Sequence, residues 1–507
     1  MKNIKFLVFG LAAMLTFSAC SESWLDNELN SSTISQEEFE KLNGTIEGSV
    51  RGLYTFMYSV SDHDMFGQKS IDIATDLLSC DMAMSADAYG WFTTDAQRNG
   101  SSSTGSRNSY MWSYYYRIIM NANAIVRNLS AKQADGTELT QMEKKYLAET
   151  LTMRAYCYFS IVNFYTPGLG NTQQSNYGGA GLDYRTAPIY TETTYDPKTG
   201  LVLEQDLSTK AQLFEMIHSD LGAAIAYFDA LDADTAARSN KLFVNADIAR
   251  AFSAYTFLLE EKYDTAYKVA KEVIDAGNFS IIPYDEVTTT GFTDVNCSSW
   301  MWGLDVTVEN TGSLASFWGH IDTHTYSYAY AGALKVIDKT LYESIPETDI
   351  RKKWFDATKL NPDFKFYDLA RGTGNNIDRR WLNDYVYMRI EEMYLVGAEA
   401  AARDGKETES RELLKPLVEA RDTNADVDAL TGSALLSSIY YNWRIEMWGE
   451  GRGLMTFKRF GEAKTTGGNN YFVKNQDLNP TDYQMTFQLP YAEYSGNSQI
   501  STQTDAQ

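Results

Sequence analysis

Histidine and cysteine are scarce in this chain, four of each among 507 residues. The histidines are His63, His218, His320 and His324, and only the last two could share a metal, as an i, i+4 pair on a helix. Their setting, Phe317-Trp318-Gly319-His320-Ile321-Asp322-Thr323-His324-Thr325-Tyr326, is aromatic and β-branched and predicts a strand or loop. In a strand the two rings would stand roughly 13 Å apart, so no zinc site is expected. The cysteines, Cys20, Cys80, Cys157 and Cys297, are far apart and contain no CxxC. With Cys20 set aside an odd number remains, which is neither a disulfide framework nor a zinc set. Buried thiols acting as small hydrophobes are expected instead. No GxSxG, HExxH or Walker-type loop is present, which removes support for nucleophilic, metalloprotease and nucleotide chemistry. The loop aspartates are too scattered to define a calcium site, and no cofactor is expected. Basic residues are also short, 44 Lys and Arg against 67 Asp and Glu, for a net charge of -23. That balance disfavours nucleic acid and anionic headgroups as partners.

What is present begins at the N-terminus. Lys2 and Lys5 precede an apolar run from Phe6 to Phe17, then Ser18, Ala19 and Cys20. This is the pattern of a secretory signal over residues 1–19, too short for a membrane span. Phe17-Ser18-Ala19-Cys20 reads as a lipobox, with the Cys20 thiol acylated and the mature chain starting there. Acyl chains at about 0.8 kcal/mol per buried CH2 would hold it on a membrane. Residues 20–41 read as the acylated cysteine and a flexible tether, and 42–507 as one unit. Within that unit an N-terminal part covers about 42–230, a central helix pair 245–277 and a C-terminal part about 283–507. A unit of about 470 residues exceeds the usual limit of a single core, so repeats or intimately joined halves are expected.

Helical periodicity dominates, so the fold class is mainly α. Asn245 to Glu260 places Ile248, Ala251, Phe252, Tyr255 and Leu258 at three- and four-residue steps. Lys262-Tyr263-Asp264 turns the chain into a second helix bearing Ala266, Val269, Ala270, Val273 and Ile274, with Gly277 as its C-cap. The pair fits a tetratricopeptide-type hairpin. Tyr110 to Leu129 with Met142 to Tyr165, Ser208 to Phe228, and Tyr385 to Arg403 with Lys406 to Arg421 followed by Gly432 to Gly449, have the same character. About four such pairs form the expected scaffold. Long aromatic-rich loops separate them: Ser85 to Ser109, Leu169 to Thr199, Pro283 to Tyr330 and Thr465 to Gln484. Loops of this length in a compact protein are usually functional or disordered, and aromatic content argues against disorder.

Two carboxylate pairs could suggest a glycosidase: Glu392 with Glu399, and Glu446 with Glu450. Both lie among Arg389, Arg403, Arg444 and Arg452, which favours helix-to-helix ion pairs and lowers pKa values, the wrong direction for a general acid. No catalytic residue is assigned. The stronger signal is aromatic, 10 Trp, 34 Tyr and 24 Phe. Trp112 with Tyr116, and Trp443 with Trp448, sit on or beside helices and read as core. Tyr89 and Trp91 follow a small, polar stretch that would not bury them. Trp300, Trp302, Trp318, Tyr326, Tyr328 and Tyr330 crowd another loop region. Flat rings on a scaffold suit the apolar faces of sugars, with Asp81, Asp87, Asn108 and Asp305 as nearby polar groups to read hydroxyls.

Several segments, in order, resemble the SusD/RagB family of outer-membrane nutrient-binding lipoproteins. They are Cys20 with Trp24-Leu25-Asp26; Trp112 to Asn123; Asn245 to Gly277; Arg389-Ile390-Glu391-Glu392-Met393-Tyr394-Leu395 leading to Ala398-Glu399-Ala400; Glu446-Met447-Trp448-Gly449-Glu450-Gly451; and Leu489-Pro490 with Glu493. Asn442-Trp443 and Thr456 depart from it, where the family usually has Glu-Arg and often has Asp; this bears on the local ion-pair network. The resemblance implies four tetratricopeptide-like pairs supporting an irregular ligand-binding half. It also implies a lipid-anchored, outward-facing position on the outer membrane. Its expected partner is a SusC-like TonB-dependent transporter on which the protein sits as a lid. Oligosaccharide capture for import is the leading reading. Oligopeptide capture is the alternative, since part of the family serves peptide uptake; a longer, hydrogen-bonding cleft would then replace stacking platforms.

Overall fold

A computed structural model describes residues 46–500 apart from 88, 169, 369–370 and 372–380. The lipobox, Cys20 and the tether lie outside the described residues.

The described residues are helix-rich with four small two-stranded sheets, pairing β1 (Met82–Met84) with β5 (Lys335–Ile337), β2 (Arg185–Pro188) with β3 (Leu207–Thr209), β4 (Trp300–Leu304) with β6 (Tyr385–Arg389), and β7 (Lys464–Thr465) with β8 (Asp477–Leu478). The long helices Ser106–Ala134 and Gln141–Tyr165 pack side by side, and Lys210–Asp229 packs on the second of them. Ala246–Leu259, Tyr263–Asp275, Ile390–Arg403 and Glu407–Glu419 continue the array, followed by Gly432–Glu446 and Gly453–Phe460. Gly453–Phe460 returns to pack on Gln68–Ser79, closing the array on the N-terminal part. This packing is compatible with tetratricopeptide-like pairs. Buried apolar side chains form one continuous cluster from Val50 to Ile500.

Local sequence explains the helix starts. Thr140 and Glu143 form a capping box, as do Thr209 and Gln212, while the Asn245 side chain accepts from the Ile248 N–H. Gly277 follows the central pair at φ 67°, the left-handed conformation that a helix stop of this kind favours. Ala266 and Ala270 are fully buried, which lets the paired helices approach closely. The three described cysteines are free and buried; burial pushes the Cys80 thiol up to about 12 and Cys297 to about 11.

Three local expectations are corrected. Tyr385 to Arg403 is not one helix: Tyr385–Arg389 is strand β6, and the helix starts at Ile390. The five residues Tyr-Val-Tyr-Met-Arg are buried throughout, and β6 pairs antiparallel with β4, Trp300–Leu304. Pro283 to Tyr330 is accordingly not all loop. His320 also lies on a one-turn helix, Phe317–Ile321, capped by the Ser316 side chain, and not in a strand or loop.

The sheet that matters for the site pairs β1, Met82–Met84, with β5, Lys335–Ile337. Met82 faces Ile337 and Met84 faces Lys335, so the chain leaving β1 and the chain entering β5 emerge at the same end. Ser85 N–H extends the pairing to Leu334 O at 3.1 Å.

Candidate functional site

The two loops carried by β1 and β5 bring five of the sequence-selected aromatics into one surface. Tyr89 meets Tyr328 edge to face at 5.4 Å, and Trp91 meets Tyr328 at 6.3 Å. Tyr326 and Tyr330 pack edge to face at 5.8 Å. A hydrogen bond between Tyr89 and Tyr326 raises the Tyr89 phenol above its usual range and joins the two groups. Tyr89, Tyr326 and Tyr330 are 57%, 51% and 56% exposed, high values for large aromatic side chains. An exposed aromatic cluster of this kind marks an interaction surface more often than an isolated ring does.

The cluster stands on a fixed polar base. His63 stacks on Trp91 at 4.8 Å, and its Nδ1 shares a hydrogen bond with the Tyr328 hydroxyl at 2.5 Å. Beneath them the buried His320 ring stacks on Tyr328 at 4.8 Å and on Phe66 at 5.7 Å. Its Nε2 donates to His63 O at 2.8 Å, leaving Nδ1 to accept from the Lys335 ammonium at 3.2 Å. That assigns a neutral tautomer. Burial, then the Lys335 charge, holds His320 well below the usual histidine range. Burial also lowers Lys335 to about 7, against the opposing pull of Asp64 and Asp95. His63 is the residue that sequence reasoning missed. It sits in a short polar stretch between helices, and nothing periodic marks it as a ring beneath Trp91.

His324 is turned away from His320. It is exposed, and its Nε2 lies 3.0 Å from Asp363, which also pairs with Arg371 at 3.0 Å. The Arg371 guanidinium covers Tyr367 at 3.9 Å, placing a further aromatic and cation beside the 322–330 loop. Among the described residues no group of His, Cys, Asp or Glu is arranged to hold a metal ion.

Of the remaining selected residues, Trp300, Trp302, Trp318, Asp81 and Asn108 are buried, and for these the structure corrects the expectation of ligand contact. Trp300, Trp302 and Trp318 are 0–2% exposed. Their indole N–H groups donate to the backbone oxygens of Gly291, Leu242 and Asn383 at 2.7–2.8 Å. No ring face is open for stacking, because β4, which carries Trp300 and Trp302, and the helix Phe317–Ile321, which carries Trp318, are both buried throughout. Asp81 is buried beneath β1, accepting from Arg444 at 2.7 Å and Lys464 at 2.6 Å. Burial raises its carboxyl, and the two cations more than offset that to hold it below its usual range. Asn108 is fully buried, donating to Gln488 O at 2.7 Å and accepting from the Tyr165 hydroxyl at 2.8 Å. Asp87 is exposed on the site loop and accepts from Thr93 Oγ1 at 2.9 Å. Asp305 lines a separate polar groove of about 510 Å³. The groove's side chains largely bond one another or the backbone: Asp247 accepts from Asn245 and Asn278, and Lys241 donates to Cys297 O.

The carboxylate pairs are ion-paired within the core. Arg389 contacts Glu391, Glu446 and Glu450 at 3.2, 3.0 and 2.8 Å. Arg421 and Arg351 close on Glu446 at 2.9 and 3.2 Å, and Lys365 on Glu450 at 2.8 Å. Burial raises the Glu450 carboxyl, but Arg389 and Lys365 hold it at about 2. Glu392 pairs with Arg452 at 2.8 Å, and Glu399 with Arg403 and Arg459, each at 2.9 Å. A carboxylate held ionised by cations on this scale is poorly suited to donate a proton at neutral pH.

With this geometry in view, comparison with known proteins gives a consistent result. A family model described as "Starch-binding associating with outer membrane" matches residues 23–252, and the SusD family model matches 315–501. Together they cover most of the chain. It belongs to the SusD family. Among curated proteins no match is found. Solved structures share the fold over nearly their whole length. A SusD-like carbohydrate binding protein from Bacteroides vulgatus is 21% identical with a TM-score of 0.72, over 90% of this chain and 97% of that one. A SusD superfamily protein from Bacteroides fragilis is 22% identical with a TM-score of 0.68, over 90% and 98%. Surface glycan-binding protein A from Bacteroides uniformis is 14% identical with a TM-score of 0.64, over 91% and 99%. Within this SusD-family chain, Asn442, Trp443 and Thr456 share one further feature among the described residues. Asn442 Oδ1, Trp443 Nε1, Thr456 Oγ1 and the adjacent Arg459 Nη1 are all buried without a hydrogen-bond partner.

Proposed function

We propose that this protein captures oligosaccharides at the cell surface and passes them to a SusC-like TonB-dependent transporter, binding them without cleaving them. The observation that carries this reading is the meeting of Tyr89 and Trp91 with Tyr326, Tyr328 and Tyr330 in one exposed surface. Such rings stack against the C–H faces of pyranose units, while the phenols, His63, Asp62 and Asp87 offer donors and acceptors to hydroxyls. Membership of a family described by starch binding and outer-membrane association supports the same ligand class and location.

Trp91 is the ring to remove first. Stacking buries on the order of 100 Å² of apolar surface, worth roughly 2–3 kcal/mol at about 25 cal/mol per Å². Trp91→Ala is therefore expected to weaken binding about 30- to 100-fold in calorimetry against the glycan retained from a panel. Its melting temperature should stay near the wild-type value, because the ring is only partly buried. Unchanged affinity in this variant would remove the platform. Retention of oligopeptides and of no glycan would replace the ligand class.

Attachment is proposed to depend on Cys20. Among the described residues no helix is long and apolar enough to cross a membrane. Cys20→Ala should leave a folded protein in the soluble fraction after cell fractionation. If the variant stays with the outer membrane and keeps wild-type surface accessibility, lipidation at Cys20 is not the anchor.

A further inference from the structure

Tyr471 and Phe472 form a second aromatic pair, with ring centroids 4.9 Å apart at 87°. Tyr471 is 59% exposed, whereas Phe472 is half-buried and rests on the core. A lone exposed tyrosine needs no explanation. This one is singled out by how its backbone is held and by where that places it.

The segment carrying the pair is tied to both strands of the β1–β5 sheet. At one end Gly467 N–H donates to Asp338 Oδ2 at 2.5 Å, and the Asn469 amide bonds Ile337 O and Lys339 N–H, each at 2.9 Å. Ile337 faces Met82, the first residue of β1. At the other end Tyr471 N–H donates to the carbonyl of Met84, the last residue of β1, at 2.9 Å. Backbone groups along an antiparallel strand alternate in direction. Ser85 therefore turns inward to Leu334, while the Met84 carbonyl turns outward and receives Tyr471. The bond to Met84 thus holds Tyr471 at the end of β1 where the Tyr89–Trp91 loop and the Tyr326–Tyr330 loop emerge. Adjacent strands lie about 5 Å apart. Five residues from Met84 to Tyr89 reach at most about 17 Å. The two tyrosine backbones are then at most roughly 20 Å apart, a separation that a chain of several sugar units can bridge. Exposed Lys474 and Asn475 follow Phe472 and can meet hydroxyls there.

The geometry points to Tyr471–Phe472 as a distal stacking platform, continuous with the first, that engages the far part of an extended oligosaccharide. The inference rests on the glycan reading above and adds a preference for chain length. It separates Tyr471 from the primary platform: short ligands occupy only the Trp91 surface, and long ones gain affinity from Tyr471.

The test compares mature wild-type protein with Tyr471→Ala and Tyr471→Phe by calorimetry, on size ladders of α-glucan, β-glucan, xylan and mannan oligosaccharides. On the ladder that wild type binds, Tyr471→Ala should bind short members as wild type does and lose roughly 10-fold on long members. Tyr471→Phe should restore most of that loss. Wild-type affinity of Tyr471→Ala for long members overturns the distal platform and leaves the Trp91 surface standing. A wild-type protein that gains no affinity with chain length overturns it equally. If wild type binds none of the ladders, the proposed function fails and this inference with it.

Discussion

Arg389→Met should leave the protein unable to hold its fold at neutral pH, or destabilised by about 3–5 kcal/mol, the usual cost of stripping one partner from a buried ion pair. Arg389 is fully buried and meets three carboxylates, Glu391, Glu446 and Glu450, none of which reaches bulk solvent. Its Nη2 also donates to the Glu446 backbone oxygen at 2.7 Å. Methionine fills part of the volume and supplies no charge. With Asp349, which pairs with Arg351 at 2.6 Å, four carboxylates would then face only three cations, Arg421, Arg351 and Lys365. Against a total stability of about 5–15 kcal/mol, a loss of this size is decisive. Soluble yield and denaturant unfolding followed by circular dichroism measure it directly. A wild-type midpoint in Arg389→Met would mean that the network is dispensable. The same network fixes the sign of the acid response. Glu450 falls from 4.5 to about 2 on folding, so its contribution is complete above about 4.5 and is lost as pH falls toward 2. Wild-type stability should decline across that window.

Trp302→Ala should cost about 3–5 kcal/mol of stability, the usual range for a buried large-to-small change, and leave the ligand affinity of the folded fraction unchanged. The indole is 2% exposed, donates to Leu242 O at 2.7 Å, and packs at 5.3, 5.4 and 6.0 Å from the rings of Tyr156, Tyr387 and Phe252. Alanine leaves a cavity among these rings and an unpaired carbonyl, and neither loss touches the Tyr89–Tyr330 surface. Thermal unfolding and calorimetry on the same sample separate the two effects. A stable Trp302→Ala with weakened binding would return Trp302 to the ligand surface.

The contrast between Trp91 and Trp302 shows what was legible. Helical periods need only local residues, so Asn245 to Gly277 was readable to within a residue or two. Tyr89 and Trp91 were readable as surface because Ala86 to Gly90 offers nothing to bury them. Trp300-Met301-Trp302-Gly303-Leu304 looks equally aromatic, but its partner β6 lies far along the chain, at Tyr385–Arg389, and covers it. An aromatic run therefore reads the same whether a distant strand buries it or not. Asp81 and Asn108 misled for a related reason: short polar side chains near a loop can serve the core, and Arg444, Lys464 and Gln488 come from far along the chain. Tyr471 lay in a recognised loop, Thr465 to Gln484, yet only its hydrogen bond to Met84 distinguishes it.

The pairing of β1 with β5 also sets an order of events. Met84 and Lys335 are some 250 positions apart in the chain, and closing so long a loop carries an entropy cost before any contact compensates it. Contacts of this range form slowly and late. The helices can condense from neighbouring segments while the aromatic surface is still in two unconnected pieces. The ligand face is therefore expected to complete late in folding, and a fragment ending before residue 335 lacks the strand that joins its two halves.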